Sequence, residues 1–205
     1  GQPASVRDLR IASESQAVSL VSYPSDTNLI PIEKNGPQLG SGFKFDVILP
    51  ILHGTHGEDG TVQGLFELAN IPYVGTGVLG SSLCMDKDTA KRVMRDAGIP
   101  VVPFLAVRCR EFTSNRKKIA DEAVKKFGLP FFVKPSNMGS SVGVHKVKIA
   151  ADAIPLLEDA FKYDTKVLIE QAVSARELEV AVLGNHDPRA SVVGEIIPRH
   201  EFYSY

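Results

Sequence analysis

Hydrophobic positions recur along the chain with two periods, one typical of β-strands and the other typical of helices. Short apolar runs rich in Val, Ile and Phe predict β-strands, whereas apolar residues that recur at helical spacing predict amphipathic helices. The predicted strands cover residues 44–52, 71–75, 101–107, 131–133, 142–147, 167–173, 177–183 and 190–197, and the predicted helices cover residues 61–70, 78–85, 87–97, 114–127 and 151–161. Residues 1–43 are rich in Ser, Gly, Pro and Asn, which predicts loops with one or two weak strands near residues 17–23 and 29–32.

The order of these elements predicts two kinds of fold. A strand at 44–52, a polar glycine loop and a helix predict an open α/β domain, in which ligands bind at the carboxyl ends of strands. Consecutive strands joined by a turn at 184–188 predict antiparallel pairing in an α+β arrangement. We expect a boundary near Val102 and Pro103, so that residues 1–102 form one domain and residues 103–205 the other.

The stretch from residue 131 to residue 143, FFVKPSNMGSSVG, carries the strongest chemical signal. Its apolar strand delivers Lys134, a cation rooted in a rigid element, and a loop of small residues follows. Glycines allow a ligand close to the backbone, while serine hydroxyls and backbone N–H groups donate to anionic oxygens. The stretch therefore suits a polyphosphate. A flexible hairpin tip beside a solvated lysine is the alternative, and this stretch alone does not decide between them.

Two other stretches offer groups that complement this loop. Lys87 lies at the positively polarised start of a predicted helix, where a bound anion would relieve the repulsion. The strand at 167–173 ends in the polar pair Glu170 and Gln171, and the backbone of an extended segment of this kind can contact a nucleobase. The ordinary interpretations are a solvated lysine and an edge strand.

Three more polar side chains have both a functional and an ordinary interpretation. Glu177 can accept hydrogen bonds from ribose hydroxyls, or pair with Arg176 or Arg189. His53 and Glu58 share the loop HGTHGEDG, whose spacing matches neither a helical HExxH site nor a zinc knuckle. A hydrogen-bonding or substrate-ammonium role is therefore favoured over metal ligation for this pair.

Composition narrows the class of protein. Lys+Arg 23 against Asp+Glu 24 gives a formal net charge of −1, so the basic excess typical of nucleic-acid or anionic-membrane binding is missing. No apolar run is long enough to span a bilayer. Cys84 and Cys109 lack metal-site spacing and are predicted to be reduced, buried thiols. We expect a cytoplasmic protein with no nucleic-acid or membrane partner.

Five stretches, taken in order, carry a family resemblance: HGTHGEDGTVQGLFELANIPYVG, SSLCMDKDTAKRVMRDAGI, PFFVKPSNMGSSVGVHKV, VLIEQAVSARELEVAVLGN and GEIIPRHEFYSY. With them the chain resembles the D-alanine–D-alanine ligases of the ATP-grasp superfamily from about residue 45 to residue 205. The resemblance implies an N-terminal open α/β substrate domain followed by a central α+β ATP-grasp nucleotide-binding subdomain. It also implies that ATP phosphorylates the carboxylate of one D-alanine and that the amine of a second attacks the acyl phosphate.

The resemblance assigns roles to individual positions. The residues implied to contact ATP are Lys87, Lys134 and Ser141 at the phosphates, Glu170, Gln171 and Val173 at the adenine, and Glu177 at the ribose. The residues implied to lie near the first D-alanine, and thus in the catalytic group, are His53, Glu58 and Ser140.

The resemblance also implies groups that this sequence does not supply. It implies Mg²⁺, whose ligands, like a catalytic arginine, we expect outside these 205 residues, so the isolated chain should bind nucleotide weakly and catalyse nothing. It implies a homodimer. Two alternatives remain: a ligase that takes a hydroxy acid such as D-lactate as its second substrate, and a non-catalytic nucleotide-binding module.

Overall fold

The computed structural model describes residues 46–197 and, before them, four short strands. These strands are β1 (Val18–Leu20), β2 (Asn28–Glu33), β3 (Gly36–Pro37) and β4 (Phe43–Lys44), and β2 pairs antiparallel with each of the other three. The weak strands predicted before residue 44 are therefore confirmed in part. The end of the closing motif, residues 198–205, lies outside the described residues.

A strand–helix–strand unit follows, but its strands are much shorter than predicted. Helix α1 (Thr61–Leu68) separates Ile48 from Tyr73, which form one isolated parallel bridge. The prediction of strands over 44–52 and 71–75 is thus wrong in length. Most apolar side chains of the first segment are exposed, with Leu49 and Ile51 at 63% and 72%. Helices α2 (Val78–Met85) and α3 (Lys87–Asp96) then lie close to the predicted positions.

The centre of the structure is an antiparallel sheet with strand order β5-β8-β6-β7. Its strands are β5 (Phe104–Arg108), β6 (Phe131–Pro135), β7 (His145–Val147) and β8 (Lys166–Gln171). Helix α4 (Cys109–Phe127) joins β5 to β6, and a 3₁₀ turn (Ala150–Asp152) leads into α5 (Ala153–Ala160) before β8. The predicted α+β character of this part is confirmed.

The alternation of side chains gives the central sheet two chemically different faces. One face packs on α4 and α5 and forms the hydrophobic core, whose sheet residues are Val107, Phe131, Val133, Val147, Val167 and Ile169. The side chains that alternate with these along the strands lie on the opposite face. They are Phe104, Phe132, Lys134, Lys146, Leu168 and Glu170. One face therefore stabilises the domain, and the other is available for chemistry.

Helix α4 begins five residues before its predicted start, and its polar first turns explain why. Thr113, Ser114 and Asn115 each donate a side-chain hydrogen bond to the carbonyl oxygen four residues earlier. Such residues usually disfavour helix interiors, so the sequence pattern placed the start after them. Here they stay within the helix, and the backbone of Asn115 departs from helical values (φ −140°, ψ 32°), which marks a kink.

Two small antiparallel pairs complete the described chain. Strand β9 (Glu177–Glu179) pairs with β12 (Gly194–Ile196), and β10 (Val182–Leu183) pairs with β11 (Arg189–Ala190). The predicted hairpin is confirmed, although each predicted strand is split in two. Among the described helices, none is both long and apolar enough for a bilayer crossing. The prediction of buried thiols was wrong, since Cys84 is exposed and Cys109 half-buried, although both are unpaired.

Candidate functional site

A cavity of about 570 Å³ lies on the polar face of the central sheet. Its walls come from the start of α3, from the second face of β6, β7 and β8, from the glycine loop after β6, and from β9 and β12. Every residue that the sequence assigned to the nucleotide lines it, together with Ser140: Lys87, Lys134, Ser141, Glu170, Gln171, Val173 and Glu177. Folding thus brings together positions that are up to 90 residues apart in sequence.

Two of the three lysines that line this cavity come from α3 and β6. Lys134 projects from β6, where its Nζ lies 2.7 Å from Glu170 Oε2 and 5.5 Å from the centre of the Phe132 ring. Lys87 projects from the first turn of α3 and donates to the carbonyl oxygen of Met138. Burial lowers the pKa of Lys87 below its ordinary value, and repulsion by the Lys134 ammonium lowers it further. A bound anion would relieve that repulsion.

The Glu170 carboxylate is the counter-ion of lysines on two different elements, strand β6 and helix α3. Its side chain is buried at the end of β8, and its Oε1 lies 3.1 Å from Nζ of Lys91 on α3. Burial on its own raises the pKa of Glu170, but the ammonium groups of Lys134 and Lys91 outweigh it and hold the pKa below its ordinary value. The carboxylate is therefore ionised at neutral pH and ties α3 to the sheet.

The loop that covers the two lysines has an unusual backbone. Ser140 and Ser141 have φ values of 51° and 57°, and Gly143 has φ 67°. The left-handed region costs a non-glycine residue roughly 1 kcal/mol or more, and such strain concentrates at functional sites. Turn hydrogen bonds from Val142 N to the Gly139 carbonyl, 3.1 Å, and from Val144 N to the Ser141 carbonyl, 3.2 Å, hold this shape.

The far end of the cavity is built by the chain that leaves β8. The backbone N–H of Gln171 is used in the sheet, where it donates to the Pro103 carbonyl at 3.1 Å. Regular pairing of β8 ends there, so Ala172 and Val173 continue as the irregular edge of the cavity. Arg176, which is adjacent to Glu177 in sequence, does not pair with it and instead donates to both carboxylate oxygens of Glu195 at 2.8 Å.

Arg189, the other partner offered for Glu177, lies 3.8 Å from Asp187. Both arginines are therefore engaged by other carboxylates. Glu177 contributes its side chain to the cavity lining at the start of β9. This position fits a role in binding polar hydroxyls, and the role itself stays a prediction.

His53 and Glu58 do not line this cavity. His53 is exposed, and Glu58 Oε2 accepts a 2.5 Å hydrogen bond from the backbone N–H of Gly54, which closes the turn that contains both residues. Glu58 lines a separate cavity of about 370 Å³. The turn nevertheless reaches the glycine loop, because Thr55 Oγ1 lies 3.5 Å from the sulfur of Met138.

Three cavity or cavity-side residues were missed in the sequence. Lys91 follows Lys87 by four positions, which places both on one face of α3. Phe132 precedes Lys134 by two positions on β6, and Lys146 is the cross-strand partner of Phe132, with Nζ 5.8 Å from the ring centre. Helical and strand periodicity could have identified all three once the helix and the hairpin had been predicted.

Within the described part of the chain, no group of three or more His, Cys, Asp and Glu side chains is arranged to hold a metal ion. In the HGTHGEDG turn, Asp59 instead accepts backbone hydrogen bonds from His56 at 2.8 Å and from Thr61 at 3.0 Å. The described residues thus do not supply a magnesium site.

Fold and cavity together define a class of protein. The structure of the VanG D-Ala:D-Ser ligase from Enterococcus faecalis matches 93% of this chain and 52% of its own, with a TM-score of 0.77 and 35% sequence identity. The chain has the ATP-grasp fold, with the α/β and α+β parts expected from the sequence.

The family follows from comparisons along the sequence. The model described as "D-ala D-ala ligase N-terminus" matches residues 7–76, and the one described as "D-ala D-ala ligase C-terminus" matches residues 93–205. The chain belongs to the D-alanine–D-alanine ligase family.

Curated relatives agree with this assignment. D-alanine–D-alanine ligase A of Chromobacterium violaceum is 57% identical over 164 residues, which are 79% of this chain and 43% of that protein. The D-alanine–D-alanine ligase of Bacillus cytotoxicus is 43% identical over 205 residues, which are 100% of this chain and 55% of that protein. The chain thus spans about half the length of the curated relatives that it matches.

The glycine loop provides a matched pair of substitutions. A Cβ at Gly143 would lie 2.6 Å from Tyr163 Cδ2 and 2.9 Å from Pro135 Cγ, at a positive φ. A Cβ at Gly139 would meet only ordinary contacts at 3.8 and 3.9 Å. We expect Gly143→Ala to lower the free energy of unfolding by about 1–3 kcal/mol, and Gly139→Ala to change it by less than about 0.5 kcal/mol, in chemical denaturation. Equal effects of the two substitutions would contradict this account of the loop.

The buried carboxylate of Glu170 predicts a pH-dependent stability difference. Because its pKa is lowered on folding, Glu170 contributes stability that is present above its ordinary pKa of 4.5 and lost as the pH falls through the lowered value. We expect Glu170→Gln to cost about 1–3 kcal/mol at neutral pH, with a smaller cost in acid. Denaturant titrations of both proteins from neutral to acidic pH measure the difference. A cost that stays constant or grows in acid would show that the ion pairs are not its source.

Proposed function

We propose that this chain belongs to an enzyme that uses ATP to join two D-alanines into D-alanyl-D-alanine, through an acyl phosphate, for peptidoglycan precursor synthesis. The observation that carries the proposal is the convergence of the Lys87 and Lys134 side chains under one glycine- and serine-rich loop, on the wall of a 570 Å³ cavity. Membership of the ligase family supports the choice of substrates.

The phosphate end of the cavity suits phosphoryl transfer. Such reactions depend mainly on positioning and on neutralising charge, rather than on covalent catalysis by the protein. Lys87 and Lys134 supply two cations, and the hydroxyl and backbone of Ser141 supply hydrogen-bond groups in the loop above them. The two ammonium groups are held by the Met138 carbonyl and by Glu170, so an incoming phosphate would meet cations that are already oriented.

The nucleoside would occupy the opposite end. Gln171 and Val173 lie at the edge where regular pairing of β8 stops, so their segment offers apolar surface and backbone groups to an adenine ring. Glu170 lies beside this edge, but its carboxylate is occupied by Lys134 and Lys91, so it orders the site rather than reading the base directly. Glu177 would accept hydrogen bonds from the ribose hydroxyls.

The first D-alanine would bind where the glycine loop meets the HGTHGEDG turn. Ser140 lines the cavity at this junction, and the Thr55–Met138 contact joins the two segments. His53 is exposed on the turn, and Glu58 fixes the turn through its bond to Gly54. We assign Ser140 and His53 to contacts with the amino acid and Glu58 to the shape of the turn that carries His53.

The remaining features of the proposal follow from the family. Residues 1–102 would be part of the substrate domain, and residues 103–205 the central nucleotide-binding subdomain. Mg²⁺ would supply charge neutralisation between the phosphates, with ligands outside the described residues. We further propose a cytoplasmic homodimer whose ligands are small molecules rather than nucleic acid or a membrane.

A second candidate concerns the acceptor substrate. The VanG structure, which resembles this chain with a TM-score of 0.77, is described as a D-Ala:D-Ser ligase. A hydroxy acid such as D-lactate is another possible acceptor. All three reactions share the phosphorylated first D-alanine, so the cavity and its lysines serve each of them equally.

The test is a competition assay with the full-length protein. It is supplied with ATP, MgCl₂ and equal amounts of D-alanine, D-serine and D-lactate, and the products are identified by mass spectrometry. We expect ADP, phosphate and mostly D-alanyl-D-alanine. If D-Ala-D-Ser or D-Ala-D-lactate predominates, the second substrate is D-serine or D-lactate and not D-alanine. Nucleotide binding without any ligation product would favour a non-catalytic module.

The role of Lys134 is tested by removing its charge. We expect Lys134→Ala to raise KM for ATP and to lower kcat, with kcat/KM reduced on the order of 100-fold, because a phosphate contact is lost in both the ground and the transition state. Lys125→Ala, at an exposed position in the last turn of α4, serves as the matched control and should leave both constants unchanged. Steady-state kinetics of the full-length variants measure both constants. Unaltered kinetics of Lys134→Ala would show that Lys134 does not contact the ATP phosphates.

A further inference from the structure

Lys166 lies beside the site without lining its cavity. Lys166, the first residue of β8, places its Nζ 2.9 Å and 2.8 Å from the two carboxylate oxygens of Asp86 and 3.3 Å from Asp88 Oδ2. The three side chains are only 15%, 24% and 12% exposed. Their charges are therefore weakly screened by solvent, and the contacts join the start of β8 to the first turn of α3.

The two carboxylates flank Lys87 in sequence. Asp86 caps α3 by accepting from the Thr89 backbone N–H at 2.8 Å, and it also accepts from Ser136 Oγ at 3.1 Å. An aspartate next to an anion-binding lysine has two unfavourable effects: it competes for the ammonium group and it repels the anion. Burial and the Lys134 ammonium lower the pKa of Lys87, and the Asp86 carboxylate acts in the opposite direction.

We propose that Lys166 is a positioning residue that keeps the carboxylates of Asp86 and Asp88 paired away from the cavity, so that the Lys87 ammonium stays available for the nucleotide phosphates. This inference rests on the proposed function. Arg92 Nε lies 2.5 Å from Asp88 Oδ1 and offsets the charge of Asp88, whereas Lys166 offsets the charge of Asp86. Without it, Asp86 would turn its charge toward Lys87.

The backbone around Lys166 is held by hydrogen bonds that do not depend on the charge of its side chain. Ser136 donates from its N–H to the Lys166 carbonyl at 2.9 Å and accepts at its own carbonyl from the Lys87 N–H at 2.9 Å. Asp164 accepts from the N–H groups of both Asn137, at 2.7 Å, and Lys166, at 3.1 Å. These bonds do not involve the Lys166 side chain, so a substitution that removes the ammonium leaves them in place.

The test measures ADP binding to the full-length protein by calorimetry, together with the kinetics for ATP. We expect Lys166→Met to raise both the Kd for ADP and the KM for ATP roughly tenfold, while kcat at saturating ATP changes by less than about threefold. Lys166→Arg, which retains the charge, should stay within about twofold of the unsubstituted protein. Lys162→Met is the matched control, since Lys162 is exposed and pairs with Asp159.

The decisive variant combines two substitutions. Asp86→Asn keeps a side chain that can cap α3 but removes the competing charge, so Lys166→Met with Asp86→Asn should recover most of the lost ADP affinity. A merely structural lysine would not be rescued in this way, because the double variant lacks the ion pair altogether. Thermal unfolding of each variant separates loss of stability from loss of affinity.

Three outcomes overturn the inference: ADP binding by Lys166→Met that matches the unsubstituted protein, a double variant no better than the single one, or a fall in kcat without a change in ADP affinity. If Lys166→Met does not fold, Lys166→Gln carries the same expectation of a roughly tenfold weaker Kd. If the unsubstituted protein binds ADP but forms no ligation product, the proposed function fails, whereas the binding series still tests the role of Lys166.

Discussion

The buried carboxylate of Glu170 is the constraint on which the site depends. A carboxylate removed from water is costly unless it is paired and hydrogen-bonded, and Glu170 meets this demand with Lys134 from β6 and Lys91 from α3. Those pairings fix the helix against the polar face of the sheet. Since Lys87 lies one turn before Lys91 on the same helix, the Glu170 carboxylate also sets the distance between Lys87 and Lys134.

Several ammonium groups close together repel one another, so each needs a partner that holds it in place when no anion is bound. Lys91 and Lys134 pair with Glu170 at the end of β8, and Lys87 donates to the Met138 carbonyl, so these contacts offset the mutual repulsion of the three ammonium groups. Aromatic rings contribute as well, because Phe104 lies beneath Lys91 at 5.6 Å and Phe132 beneath Lys134 at 5.5 Å. The lysines are thus oriented before a ligand binds, which lowers the entropy lost on binding.

The hydrophobic pattern of the sequence predicted local structure well where the predicted element also has a neighbour to pack against. The core face of the central sheet follows strict alternation, as in Phe131 and Val133, and all four predicted strands there exist, although β5 and β7 each begin three residues after the predicted start. The pattern failed at residues 44–52, whose apolar side chains predicted a long strand, because a strand also needs a neighbour with which to pair. Among the described residues of this segment, only Lys44, which pairs with Asn28 of β2, and Ile48, in its bridge to Tyr73, have one.

The same distinction separates what could be predicted of the site from what could not. The lysines, the glycine loop and the end of β8 are local signals, and they were found. The partners of Glu170 were not, although the register makes Lys134 its diagonal neighbour across β6 and β8. Those strands are separated by β7 and α5, so their pairing is not implied by the order of elements.

Once that pairing is known, the apparent edge glutamate becomes a buried counter-ion between two lysines. The chemistry of Glu170 is therefore set by sheet order rather than by its own sequence neighbourhood. The same holds for Lys166, because its partners Asp86 and Asp88 lie about 80 residues earlier and meet it only through the contact of α3 with the start of β8. Long-range charge pairs are the part of this site that local sequence patterns cannot specify, and they are also what keeps Lys87 and Lys134 available for an anion.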